Sequence, residues 1–227
     1  MSNRNKYSLR RRVMAAALAL SAGLFYSCSN SSTEKTLPIY GEREPVEREV
    51  NGEVVVDTIY HQIPDYAFVD QDSQRVTPET FAGKIYVTDF FFTSCPTICP
   101  KMKSQMLRVY ERFQDNPQVL LLSHSIDPEH DTVAVLREYA DRLGVKSDKW
   151  HFVTGDKDSI YDVAMQYLVP AQEDEGVAGG FTHGGHFVLV DEKRRIRGIY
   201  DGTQEEAVDR LMEDIPVLLK EGQHEKK

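Results

Sequence analysis

The chain has 227 residues, of which 28% are charged and 41% hydrophobic, proportions that exclude a wholly disordered or fibrous protein. A net charge of −9 argues against nucleic acid or an anionic membrane surface as the main partner. Three cysteines are too few for a disulfide scaffold.

Residues 1–27 carry Arg4, Lys6, Arg10, Arg11 and Arg12 and no acid. The apolar run Val13–Phe25 has the length of a signal-peptide core and is short for a membrane span. It ends at Tyr26-Ser27-Cys28, ahead of Ser29-Asn30-Ser31-Ser32. This pattern resembles a bacterial lipoprotein signal, with cleavage before Cys28 and lipid on its sulfur. An uncleaved anchor, or a plain signal peptide with Cys28 incidental, is the alternative. All versions place the remaining chain outside the cytoplasm. Losing residues 1–27 removes five of the 27 basic residues and no acid, so the mature charge is −14.

Residues 28–50 are polar and charged and predict a flexible tether. A globular domain is expected over 51–222, with 223–227 as a disordered tail. Glu53–Tyr60 alternates partly and predicts a strand. Residues 66–77 suggest a short hairpin. Ile85–Thr93, rich in β-branched and aromatic residues, predicts a buried strand. A helix starts around Ile98–Lys101, because Pro96 and Pro100 fit only before a helix or in its first turn. Met102, Met106, Val109, Tyr110 and Phe113 then recur at helical spacing.

Gln118–Ile126 predicts a second buried strand, and residues 132–143 a helix stopped by Gly144. His151–Val153 predicts a short strand, and Asp156 caps a further helix. His186–Val190 and Arg195–Tyr200 predict a hairpin. Ala207 to Ile215 form a last amphipathic helix, which Pro216 should kink or end. Alternating elements of this kind predict an α/β fold with a central mixed sheet and flanking helices. A thioredoxin-like core is the natural candidate, because paired cysteines follow a buried strand at a helix start.

That pair is Cys95 and Cys99, in Phe90-Phe91-Phe92-Thr93-Ser94-Cys95-Pro96-Thr97-Ile98-Cys99-Pro100. Cysteines at i and i+4 around a helix start can bring both sulfurs to one side. The helix N-terminus favours thiolate over thiol. Two thiolates suit a soft metal ion or a reversible disulfide, and a structural disulfide is the plainer reading. A copper or zinc site would need a third ligand, and histidine is the natural type. Of seven histidines, His61, His151 and His224 fall on a turn, a strand face and the tail. His130 reads as solvated and His124 as a satisfied core residue. Phe181-Thr182-His183-Gly184-Gly185-His186 differs: its glycines predict a flexible loop from which either histidine can reach a neighbouring strand end.

Four motifs in order resemble the Sco/SenC family: Phe90–Pro100, Ser125–Thr132, Trp150–Gly155, and Phe181-Thr182-His183 before a strand. The resemblance covers roughly residues 60–220. It implies a thioredoxin-like fold with an added β-hairpin, and copper, as Cu(I) or Cu(II), as the bound ion. It implies Cys95, Cys99 and His183 as ligands. His183 is preferred to His186 because the family's histidine stands several residues before the end of the following strand. Asp127 matches an acidic position near the family's site, with a supporting or partner-contact role. The implied function is a copper metallochaperone for cytochrome c oxidase assembly. Its partner would be the copper-receiving subunit or another periplasmic cysteine-containing target. The chain would be lipid-anchored to a membrane of the cell envelope, with the domain in the periplasm. The rival is a membrane-tethered thiol–disulfide oxidoreductase using the same Cys95 and Cys99 without metal. A peroxidase is a poorer fit, because no arginine lies within the cysteine motif.

Overall fold

A computed structural model of the chain describes residues 35–96, 98–174, 176 and 181–225. Cys28 and the expected signal peptide lie outside the described residues. So do the side chains of Thr182, His183 and His224.

The central sheet has seven strands in the order β11-β10-β5-β6-β7-β3-β4. These are β3 (Phe68–Asp70), β4 (Arg75–Val76), β5 (Ile85–Phe91), β6 (Val119–Ser125), β7 (Trp150–Thr154), β10 (His186–Val190) and β11 (Ile196–Asp201). β5, β6 and β7 run parallel, and the outer strands are antiparallel to their neighbours. Every residue of β5 and β6 is buried. Strands covered on both faces favour a continuous apolar run, and Val-Leu-Leu-Leu within β6 supplies one.

Among the described residues four α-helices complete the layers: α1 (Cys99–Phe113), α2 (Val133–Leu143), α3 (Lys157–Gln166) and α4 (Glu205–Glu225). α1 buries Met102, Met106, Val109, Tyr110 and Phe113, the row set by its helical period. Thr132 caps α2, and Gly144 ends it in the left-handed conformation at φ 68°. Asp156 caps α3 by accepting from the Ser159 N–H at 2.9 Å. None of the described helices is long and apolar enough to cross a membrane.

Three expectations are corrected. Pro216 does not end the last helix: α4 runs through it to Glu225. Its later turns bury Leu218 and place Glu221 against Arg197, and that packing outweighs the missing N–H. Residues 223–225, expected in the tail, belong to this helix. Residues 37–40, expected within the tether, are latched to the domain, whose compact unit begins at Thr36. Leu37 is buried, and the buried Arg197 guanidinium donates to the Leu37 carbonyl at 2.7 Å and the Pro38 carbonyl at 3.0 Å. Beyond this latch, β1 (Arg43–Val50) and β2 (Glu53–Tyr60) form a separate two-stranded ribbon. Its turn is Asn51-Gly52, both at positive φ, the geometry that suits a two-residue hairpin. A second ribbon pairs β8 (Ala171–Glu173) with β9 (Phe181–His183).

Candidate metal centre

β5 delivers the chain to the site. After Phe91 the backbone leaves the sheet, and the Cys95 N–H closes a turn onto the Phe92 carbonyl at 3.3 Å. Cys99 is the first residue of α1, with Pro100 directly after it. A proline there costs little, because first-turn N–H groups have no intrahelical acceptor. Ile98 gives the helix no side-chain cap.

Cys95 and Cys99 are both buried thiols with no disulfide between them. They hydrogen-bond to each other, and the Phe92 main chain donates to the Cys99 sulfur. Burial pushes the Cys99 thiol well above its ordinary range, and its bond with Cys95 pushes the same way. The helix N-terminus was expected to favour thiolate. At Cys99 desolvation is the larger effect. Behind the pair, Cys99 shares a small cavity with Asp89, Ser123 and Trp150. Ser123 Oγ donates to Asp89 Oδ1 at 2.5 Å and accepts from Trp150 Nε1 at 2.9 Å. Burial raises the Asp89 carboxyl from its usual range to about 7.

The segment carrying His183 lies against the cysteine loop at two points. On one side the Phe181 ring packs on Phe92, with centroids 5.1 Å apart. On the other, a Cβ placed on Gly185 would sit 3.5 Å from Ile98 Cδ1 and 3.8 Å from Met102 Sδ. The main chain of His183 therefore lies between two contacts that flank Cys95 and Cys99. It belongs to strand β9, opposite Ala171, rather than to the flexible loop expected. His186 opens β10, and its ring folds back over Gly184, where a Cβ would come within 2.8 Å of Nδ1. No three His, Cys, Asp or Glu residues among the described ones are grouped to hold a metal ion. The His183 side chain lies outside that set.

A family model described as SCO1/SenC matches residues 58–220. The chain belongs to the SCO1/SenC family. The SCO1 protein homolog of Bacillus subtilis is 28% identical over 171 residues, 72% of this chain and 86% of that protein. Two solved structures share the fold. BsSco is described as a member of the Sco family of cytochrome c oxidase assembly proteins with a disulfide switch. It is 27% identical at a TM-score of 0.62, over 70% of this chain and 93% of that one. Arabidopsis thaliana ScoI, solved with copper bound, is 25% identical at a TM-score of 0.59, over 70% and 98%.

In this SCO1/SenC chain the residue that sequence reasoning missed is Asp131. Its side chain is completely buried. It accepts from the Thr93 N–H at 3.0 Å, from the Thr93 hydroxyl, and from Ser125 Oγ at 2.6 Å. His130 Nδ1 lies 3.0 Å from the same carboxylate. Asp131 thus ties the cysteine loop to the end of β6. Asp127, the acid expected here, bonds through its main chain within its own loop: its N–H donates to Ser125 Oγ and its carbonyl accepts from the Asp131 N–H. One signal for Asp131 was present, since it directly precedes the helix cap Thr132.

His124 is core, but not satisfied as expected. It is fully buried, and among the described residues neither ring nitrogen has a hydrogen-bond partner. Its ring stacks on Phe90 at 4.8 Å and is edged by Tyr66 and Phe68.

Proposed function

We propose that this protein takes up copper through Cys95, Cys99 and His183 and passes it to the copper site of cytochrome c oxidase, or to another cysteine-containing protein in the periplasm. The observation that carries this reading is the buried thiol pair, with the His183 main chain held between contacts on both sides of it. The copper-bound Arabidopsis relative supports the choice of ion. Cu(I) is a soft ion and suits two thiolates. Its uptake expels both thiol protons, so burial of Cys99 makes binding stronger as pH rises. Cu(II) would call on the His183 imidazole as well. Release would follow by exchange onto the partner's cysteines. The remaining expectations join this proposal: a signal peptide over 1–27, lipid on Cys28, an envelope location, and a supporting role for Asp127.

Copper titration in both oxidation states tests it, with spectra that separate thiolate from imidazole ligation. Replacing Cys95 and Cys99 with serine should abolish tight binding, and binding as tight as wild type would sink the ligand assignment. Replacing His183 with alanine should weaken Cu(II) most.

A second reading is a thiol–disulfide oxidoreductase, favoured by two unlinked thiols already in hydrogen-bond contact. It leaves His183 dispensable. A His183→Ala protein that still reduces target cysteines while binding copper poorly would favour it.

A further inference from the structure

The β1–β2 ribbon takes no part in the copper reading, and the family match begins only at residue 58. Among the described residues, no other strand or helix packs extensively on it. It is held at its base, where His61 Nε2 meets the Gln166 carbonyl at 2.8 Å. An isolated two-stranded hairpin is marginal in water. This one nonetheless exposes Val50, Val54, Val55, Val56 and Ile59, with Val54 at 68% and Val56 at 63%.

Its two edges differ. The His61 N–H donates to the Glu42 carbonyl at 3.0 Å, so residue 61 points toward β1. Antiparallel ladders alternate, so Glu53, Val55, Asp57 and Ile59 also bond inward. Val54, Val56, Thr58 and Tyr60 then turn their N–H and C=O groups outward. The Thr58 N–H agrees, since it bonds only locally, to Asp57 Oδ1 at 2.8 Å. On β1 the same alternation makes Pro45 an outward position, opposite Thr58, and proline has no N–H to offer. The β1 edge is therefore blunted. The β2 edge, Glu-Val-Val-Val-Asp-Thr-Ile-Tyr, carries no proline and no lysine, the usual protections.

We propose that β2 pairs with β2 of a second copy of this chain, antiparallel about a two-fold axis at Val56, to make a four-stranded sheet. Outward residues must face outward residues, which limits the symmetric registers. Centring on Asp57 sets that acid against itself. Centring on Val55 sets Glu53 against Asp57, and centring on Val54 or Thr58 leaves only residues 53–55 or 56–60 of the strand paired. Centring on Val56 opposes Val56 to itself, Val54 to Thr58, Val55 to Asp57 and Glu53 to Ile59. That register brings no like charges together and pairs β-branched side chains. β1, with Glu44, Glu47 and Glu49 beside Pro45, has no comparable edge to offer.

The test is disulfide trapping in the full chain, purified in detergent, with Cys95 and Cys99 replaced by serine. Hydrogen-bonded antiparallel partners lie about 5.5 Å apart at Cα, within reach of a disulfide. Val56→Cys should give a covalent dimer at least tenfold above the parent protein. Val54→Cys should not, because its two copies stand about 14 Å apart along the strands. Equal trapping at both positions, or none at Val56, overturns the proposal. Light scattering on the otherwise unaltered full chain supplies a second reading. Wild type should be dimeric and Val56→Lys, an exposed change that spares the core, monomeric. A monomeric wild type, or a dimeric Val56→Lys protein, refutes the pairing.

Discussion

Replacing His124 with phenylalanine should remove a large share of this protein's acid sensitivity. Burial holds the imidazole from its usual 6.5 down to about 3, while the unfolded chain titrates normally. Between those two values the unfolded state binds a proton that the folded state refuses. Stability therefore falls as pH drops below 6.5 and levels off near pH 3. The slope approaches about 1.4 kcal/mol per pH unit, and the whole loss is on the order of 5 kcal/mol. A phenyl ring keeps the stack on Phe90 and removes two unpartnered polar atoms, so stability at pH 7 should stay level or rise by about 1 kcal/mol. Denaturant unfolding from pH 7 to pH 3.5, followed by the fluorescence of the single buried Trp150, measures both proteins. Carboxylate titrations are common to the two and cancel in the difference. Parallel pH curves would refute the reasoning. So would a loss of more than about 3 kcal/mol at pH 7, because it would mean the ring nitrogens have partners.

Asp89 acts in the opposite sense, since its folded carboxyl titrates near 7 and its unfolded one near 3.8. Its penalty grows as pH rises, so Asp89→Asn should gain up to about 4 kcal/mol at pH 8 and little at pH 4, read by the same unfolding assay. Asp131→Ala should cost about 3 kcal/mol, because it strands the Thr93 and Ser125 donors, and should weaken copper binding at least tenfold in the titration. Arg197→Ala should cost about 3 kcal/mol by leaving Glu221 without its buried ion-pair partner and Asp191 with Arg195 alone. Limited proteolysis should then cut faster between residues 36 and 42 than it does in wild type. Pro216→Ala restores an N–H inside α4 and should raise stability by about 1–3 kcal/mol, seen as a higher Tm.

The local features were legible in the sequence. Strand β5, the cysteine pair and the start of α1 follow from neighbouring residues alone, as do the Gly144 stop and the Asp156 cap. The misses all involve distant partners. Residues 43–60 read as half tether because glutamates alternate with valines, although Asn51-Gly52 between two alternating runs was a hairpin signal. Pro216 read as a stop because nothing local announces that Glu221 meets Arg197. Three acids and one histidine crowd residues 127–131, and which carboxylate turns inward depends on Thr93, 38 positions away. His124 read as satisfied because a buried strand histidine normally finds a partner, and here its neighbours are rings.

Strand β10 lies directly beside β5, with Val188 against Thr88, Leu189 against Val87 and Val190 against Tyr86. The ladder works as a yardstick. It counts five residues from His183 to Val188 on one rail and seven from Thr88 to Cys95 on the other. Length can be added between Glu173 and Phe181 without disturbing that count. A single deletion between 184 and 187 would shorten one rail, and residue 183 could return to its place opposite Ala171 only if β10 slipped by one residue and exchanged its two buried faces.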